Sequence, residues 1–239
     1  MASMFFYKNT PYLPINEISI IGAFNKFDPK ATPLRKEKDG WYVEIDLAKG
    51  EHQYKFVINN VLRLNDPTAS RYLPDEIGEV WSMADVNSKR ELITSEAKEP
   101  FYLMNHVITN RKVDFIEEAR YKNNLSLSMD KTVFAGFEFG AITGIHTITA
   151  IWFTPQLFMH HIADHVIEVM EGDENNAAEV WFWIDLEDKT REYPHGIWYV
   201  KLLADGEFVM EDKFSIGTGG TYVATNKGIL VNRSFDNSN

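Results

Sequence analysis

Two neighbouring segments with a strict two-residue period constrain the fold of this chain more than any other feature. Residues 41–47 alternate apolar with polar side chains, and residues 52–59 repeat the pattern with Tyr54, Phe56 and Ile58 on one face. Asn59-Asn60, a pair that tolerates positive φ, follows the second segment. Because a period of two is typical of half-buried strands, these segments predict antiparallel β-structure.

The same pattern extends over most of the chain. The further predicted strands are residues 15–23, 78–86, 132–139, 145–153, 179–186, 198–204 and 207–216. Asp205-Gly206, a strong hairpin signal, separates the last two. Residues 113–121 fit a short helix. Short strands punctuated by turns favour an all-β fold, and we predict two immunoglobulin-like β-sandwiches in tandem.

A change in composition predicts where the two sandwiches divide. Residues 88–99 are rich in charge and end at Pro100, as linkers often do. We therefore expect a first sandwich over residues 14–88, a linker over 89–104, a second sandwich over 105–217 and a polar C-terminal tail over 218–239. A chain of 239 residues accommodates two domains of about 100 residues each.

The charge balance excludes several classes of partner. With 35 acidic and 24 basic residues the net charge is −11, whereas phosphate backbones and anionic lipids select basic faces. We therefore expect no nucleic acid and no membrane partner. The chain has no cysteine, and we see neither a leader segment nor an apolar run of membrane-spanning length. A cytoplasmic protein is the expectation.

Four motifs occur in order in the first half of the sequence. They are Gly22-Ala23-Phe24-Asn25-Lys26-Phe27, Asp39-Gly40-Trp41, Gly50-Glu51-His52-Gln53-Tyr54-Lys55-Phe56-Val57 and Asp66-Pro67. In this order and spacing, residues 15–86 resemble the glycogen-binding module of the AMP-activated protein kinase beta subunit and of the isoamylase N-terminal domain. The resemblance implies a small β-sandwich whose ligand is an α-glucan.

The resemblance also implies a set of site residues. In such modules two aromatic rings flank the sugar, while a lysine and an asparagine bond its hydroxyls, because a pyranose has apolar C–H faces and a polar rim. Phe27 occupies the first aromatic position, and Lys55 occupies the position of the lysine. Leu62 falls near the second aromatic position, and Trp81 falls near that of the asparagine. Asn59 emerges at the same edge as Lys55.

Each of these positions also has an ordinary structural interpretation. Lys55 fits a sugar-facing donor or a solvated strand lysine, and Trp81 fits an exposed ring or a core or interdomain tryptophan. Leu62 is expected at an exposed turn. The span from Lys55 to Asp66-Pro67 is one residue longer than in the modules that it resembles, so that Arg63 is the alternative position for a ring.

Two other clusters suggest chemistry less strongly. His160, His161 and His165 resemble a metal-binding group, but no motif supplies a further ligand. Acids at 185, 187 and 188 resemble a glycosidase pair, but they end a predicted strand, where a solvated turn collects charge. We expect no metal and no cofactor.

The sequence predicts a binding protein rather than an enzyme. It contains no nucleophile elbow, phosphate loop or dinucleotide fingerprint. The favoured function is a non-catalytic protein or adaptor that binds an α-glucan polysaccharide or oligosaccharide. The alternatives are a structural or protein-interaction module whose glycogen-module fold has lost sugar binding, with a protein as partner, and an accessory fragment of a carbohydrate enzyme.

Overall fold

A computed structural model describes residues 2–93, 102–140, 142–170 and 177–217, and the backbone of 229–230. These residues form β-strands and two short 3-10 turns, so that the predicted all-β class is confirmed. They divide into two compact units. The first contains residues 2–93 with Ile145–Thr147 and Ala204–Glu207, and the second contains the remaining described residues.

The first unit is a sandwich of two antiparallel sheets. Its strands are β1 (Ser3–Lys8), β2 (Ile18–Gly22), β3 (Arg35–Lys36), β4 (Gly40–Ile45), β5 (Gly50–Ile58), β6 (Leu62–Leu64), β7 (Arg71–Pro74) and β8 (Val80–Val86). One sheet has the order β1-β4-β3. The other has the order β2-β5-β8-β7, with β6 paired to β5.

Alternation along β5 decides which side chains fill the core of the first unit. Tyr54 and Phe56 meet Phe5 and Tyr7 of the opposite sheet edge to face, with ring centroids 4.9 and 5.2 Å apart. All four rings are buried. Lys55, between Tyr54 and Phe56, therefore belongs to the outer face of the sheet.

The second unit is also built from two sheets. Its strands are β9 (Tyr102–Thr109), β10 (Asn124–Ser126), β11 (Thr132–Gly140), β12 (Gly144–Phe153), β13 (Met159–Val169), β14 (Ala178–Asp185), β15 (Gly196–Ala204), β16 (Glu207–Gly217) and β17 (Ile229–Leu230). One sheet has the order β14-β11-β9. The other has the order β10-β16-β15-β12-β13, with β17 paired to β16. Trp152, Trp198 and Phe214 form its buried aromatic centre.

Several elements differ from the sequence prediction. The helix expected over residues 113–121 is wrong, since this segment contains only a 3-10 turn, Ile116–Glu118. The histidine-rich segment is strand β13, and β1 precedes the expected start of the first sandwich at residue 14. Most of the predicted linker and of the predicted C-terminal tail lies outside the described residues.

Candidate functional site

A tight turn after β2 holds Phe27 in place. The Asn25 side chain stabilises the turn. It accepts a hydrogen bond from the Gly22 amide and donates to the Ile20 carbonyl and the Thr32 hydroxyl, at 2.8–3.0 Å. The Phe27 amide then donates to the Gly22 carbonyl at 2.9 Å. Phe27 has a φ of 58°, which is uncommon for a bulky side chain and requires support from its surroundings.

The Phe27 ring packs on Trp81 of strand β8. The two rings meet edge to face, with centroids 5.3 Å apart and an angle of 69° between their planes. Trp81 is only 6% exposed and clusters with Ile21 and Val57, whereas Phe27 is 38% exposed. Of the two interpretations left open for Trp81, the structure supports the buried one. Phe27 is the ring that solvent can reach.

Lys55 reaches the same place from strand β5. Its ammonium lies 5.1 Å from the centre of the Trp81 ring and donates a hydrogen bond to Glu79 Oε1 at 2.7 Å. The Lys55 side chain is 5% exposed and that of Glu79 is 32% exposed. The solvated strand lysine, one of the two interpretations given for Lys55, is therefore wrong, and the accessible charge at this position belongs to the Glu79 carboxylate.

The hairpin turn between β7 and β8 completes the group. Asp75 accepts hydrogen bonds from the amides of Ile77 and Glu79 on one oxygen and from the Trp81 indole on the other, at 2.9–3.0 Å. Desolvation raises the pKa of Asp75, but these hydrogen bonds and the charge of Lys55 outweigh it and hold the pKa below its ordinary value. Asp75 is therefore a carboxylate near neutral pH.

Three residues of this turn were missed by sequence reasoning. Asp75, Ile77 and Glu79 lie beyond the last of the four motifs, Asp66-Pro67, and Ile77 is 85% exposed. Gly78 has a φ of 84° and closes the turn. An aspartate three residues before a glycine is an ordinary turn signal, so the turn itself was detectable. Its contact with Trp81 was not, because that contact depends on tertiary structure.

The other two predicted site residues lie elsewhere. Asn59, at a φ of 51° in the turn between β5 and β6, donates to the Pro14 carbonyl and accepts from the Asn16 amide, so its side chain ties backbone segments together. Leu62 is 1% exposed, and its expected place at an exposed turn is wrong. Arg63, exposed and paired with Val57, shares the outer face with Lys55.

Phe27, Trp81, Lys55, Asp75 and Glu79 thus form one surface, which we call the Trp81 face. It offers an accessible ring beside two carboxylates and an exposed aliphatic side chain, Ile77. A ring with polar acceptors at its border is suited to a ligand with apolar C–H faces and a hydroxyl rim.

The remaining clusters of the sequence do not assemble a metal centre in the described part of the chain. No group of three or more His, Asp or Glu side chains in these residues is arranged to hold an ion. Burial lowers the pKa of His160 and of His161, so both are neutral near pH 7. No helix among the described residues is long and apolar enough to cross a membrane.

One protein family matches the first unit of the chain. Residues 14–92, about a third of the chain, match the family described as the glycogen recognition site of AMP-activated protein kinase. The match confirms the resemblance to a glycogen-binding module and supports a carbohydrate-binding role for this unit. The search of curated proteins found no significant match to this chain.

Among the solved structures that are similar to this chain, two come from Pseudomonas species. One is the alkylpurine DNA glycosylase AlkC of Pseudomonas fluorescens bound to DNA containing an abasic site analogue, at 11% identity and a TM-score of 0.35, covering 51% of this chain and 31% of that one. Another is an immunoglobulin-like protein from Pseudomonas aeruginosa, at 12% identity and a TM-score of 0.30, covering 50% of this chain and 94% of that one. Scores this low carry no functional argument.

Proposed function

We propose that this chain is a non-catalytic protein that binds α-glucans such as glycogen through the Trp81 face. The observation that carries the proposal is the exposed Phe27 ring, held on Trp81 beside the carboxylates of Asp75 and Glu79. The family match of residues 14–92 supports the same ligand class.

The chemistry of the face fits a neutral sugar. The ring of Phe27 packs against the C–H face of a pyranose, and Ile77 adds apolar contact. Sugar hydroxyls donate to Glu79 and Asp75, which are better acceptors than neutral groups. Lys55 keeps Glu79 in position through their 2.7 Å ion pair, so that the acceptor is ordered before the ligand arrives.

Affinity should be modest, because the face is open and has one accessible ring. We expect a dissociation constant on the order of 10 μM to 1 mM for maltoheptaose. A shallow surface immobilises few groups and excludes little water. Weak sites of this kind suit a polymer, which presents many copies of the same sugar.

Replacing Phe27 with alanine tests the proposal. We expect Phe27→Ala to weaken maltoheptaose binding by about tenfold in titration calorimetry, since the variant removes the stacking surface, an effect of roughly 1.4 kcal/mol. Phe6→Ala is the matched control, because Phe6 is 41% exposed and lies on β1 of the other sheet. Equal affinity of both variants and the parent would contradict the assignment of the site.

A pair of tryptophan substitutions tests which side of β6 faces the ligand. Arg63→Trp adds a ring on the face of Lys55, and we expect it to tighten maltoheptaose binding about fivefold. Leu62→Trp instead overpacks the core, because Leu62 is buried, and should lower the free energy of unfolding by about 1–3 kcal/mol without a gain in affinity. Calorimetry and urea unfolding separate the two effects. Tighter binding by a folded Leu62→Trp protein would show that the side of β6 with Leu62, and not the side with Arg63, faces the ligand.

A second function, a protein-interaction module, is favoured by one observation. Lys55 is enclosed by Trp81 and Glu79, and buried Leu62 provides no second aromatic ring. Only part of the expected set of sugar-binding side chains is therefore accessible. Absence of heat with millimolar maltoheptaose and with β-cyclodextrin, from a folded protein, would favour this function over sugar binding.

A further inference from the structure

The second unit exposes aromatic side chains on one face of its three-stranded sheet. The other face of β11 is core, since Val133, Ala135 and Phe137 are 0–1% exposed. Alternation therefore places Phe134 and Gly136 of β11 on the outward face, together with their register partners Trp183 and Trp181 of β14. We call Phe134, Trp181 and Trp183 the aromatic platform.

The Trp181 ring is seated directly on a glycine. A Cβ atom at Gly136 would lie 2.8–3.0 Å from three atoms of the six-membered ring. Because Gly136 has no side chain, the Trp181 indole packs flat against the backbone of the sheet. Phe134 meets the same ring edge to face, with centroids 6.5 Å apart. Trp181 is consequently held by neighbours on two sides.

Trp183 extends the platform toward the end of β14. It is 56% exposed, an unusually large exposure for a tryptophan in a strand. Two residues along a strand advance by about 6.8 Å, so Trp181 and Trp183 present successive ring surfaces along one line. Such a row contacts an extended chain better than a compact ligand.

Carboxylates border the rings on the same face. Glu138 lies opposite Glu179 in the register of β11 and β14, and Asp185 follows Trp183 by two residues. The Glu179 carboxylate accepts hydrogen bonds from the Ile116 amide, at 3.2 Å to each oxygen, so that Glu138 and Asp185 are the carboxylates left for a ligand. The outward positions of β11 and β14 contain no lysine or arginine, which disfavours phosphate ligands and nucleic acid.

We propose that the aromatic platform is a second binding site for a neutral glucan chain. The indoles of Trp181 and Trp183 stack on the C–H faces of successive sugars, and Glu138 and Asp185 accept hydrogen bonds from their hydroxyls. The inference rests on the proposed function for its ligand class, while its evidence comes from other residues. Two weak sites in one chain raise the avidity for a polymer well above that of either site.

The test compares variants of the full chain in native gels that contain glycogen, and in calorimetry with maltoheptaose and cellohexaose. Trp183→Ala removes an exposed ring, and Gly136→Ala dislodges the Trp181 ring without removing it. Phe158→Ala, at a 71% exposed ring outside β14, is the control for the first. Gly217→Ala, where an added Cβ meets nothing within 4 Å, is the control for the second.

We expect both platform variants to lose at least threefold in glycogen retardation, while both controls match the parent. If the parent binds cellohexaose and not maltoheptaose, and both platform variants lose this binding, the site is also supported. Its ligand is then a β-linked glucan chain. Parent-like binding of both sugars by folded Trp183→Ala and Gly136→Ala proteins would overturn the inference. So would a Trp183-dependent dimer in sedimentation without any effect on glucan binding, because the face would then be a contact between copies.

The Phe27→Ala background separates the two proposals. If both are right, Phe27→Ala retains weak retardation that Trp183→Ala abolishes. If Phe27→Ala has no effect and Trp183→Ala abolishes binding, the platform stands and the Trp81 face does not. If Phe27→Ala abolishes binding and Trp183→Ala has no effect, the Trp81 face stands and the platform does not.

Discussion

Replacing Trp81 with alanine is expected to lower the free energy of unfolding of the first unit by about 3–5 kcal/mol. Trp81 is 6% exposed and packs with Ile21 and Val57, so truncation leaves a large cavity on the outer side of the sheet. It also removes the donor to Asp75 and the ring beneath Phe27. Urea unfolding followed by circular dichroism measures the loss.

Trp183→Ala provides the comparison for this prediction. Trp183 also lies in a strand but is 56% exposed, and its truncation should cost under about 1 kcal/mol. Similar losses for the two tryptophans would show that Trp81 is not the buried support of its face.

Asp66→Ala should cost a similar amount, about 3–5 kcal/mol, for a different reason. Asp66 is 3% exposed, and its carboxylate accepts hydrogen bonds from the Tyr54 hydroxyl and from the amide and hydroxyl of Thr68, at 2.6–2.8 Å. Burial and the charge of Asp66 hold the pKa of Tyr54 well above its ordinary value, so its hydroxyl stays a donor. Truncation leaves that buried donor unpaired.

The chain contains a matched control for this substitution. Asp28 also precedes a proline, but it is exposed, and its carboxylate accepts one hydrogen bond, from the Lys30 amide at 2.8 Å. Asp28→Ala should therefore cost about 1 kcal/mol or less in the same urea titration. An Asp66→Ala protein as stable as Asp28→Ala would contradict the account of the buried network.

The sequence predicted the strands whose two faces differ most in polarity. Residues 41–47 and 52–59, whose alternation is the clearest in the chain, correspond to β4 and β5. Strand β13 was missed, because His160, His161 and Asp164 interrupt its apolar positions and exposed Val166 adds an apolar residue to the solvent side. Edge strands of mixed polarity give no clear period.

The site was predictable only in part. The turn motif located Phe27, and alternation directed Lys55 to the outer face of β5. Burial was not predictable, because it depends on neighbours from distant segments: Glu79 encloses Lys55 from 24 residues away. A shift of one residue at β6 likewise exchanges buried Leu62 for exposed Arg63, since successive strand residues face opposite sides.

The central claim is that the Trp81 face binds an α-glucan, and nuclear magnetic resonance tests it most directly. Maltoheptaose titrated into the isotope-labelled chain should shift the amide signals of Phe27 and Ile77 and the signal of the Trp81 indole N–H, which donates to Asp75 at 3.0 Å. The Trp81 indole signal is assigned by its loss in Trp81→Phe. Shifts of these three signals that saturate with one dissociation constant are the predicted result, and any shifts at Trp181 and Trp183 belong to the aromatic platform. Unchanged positions of these three signals at millimolar maltoheptaose would contradict the claim.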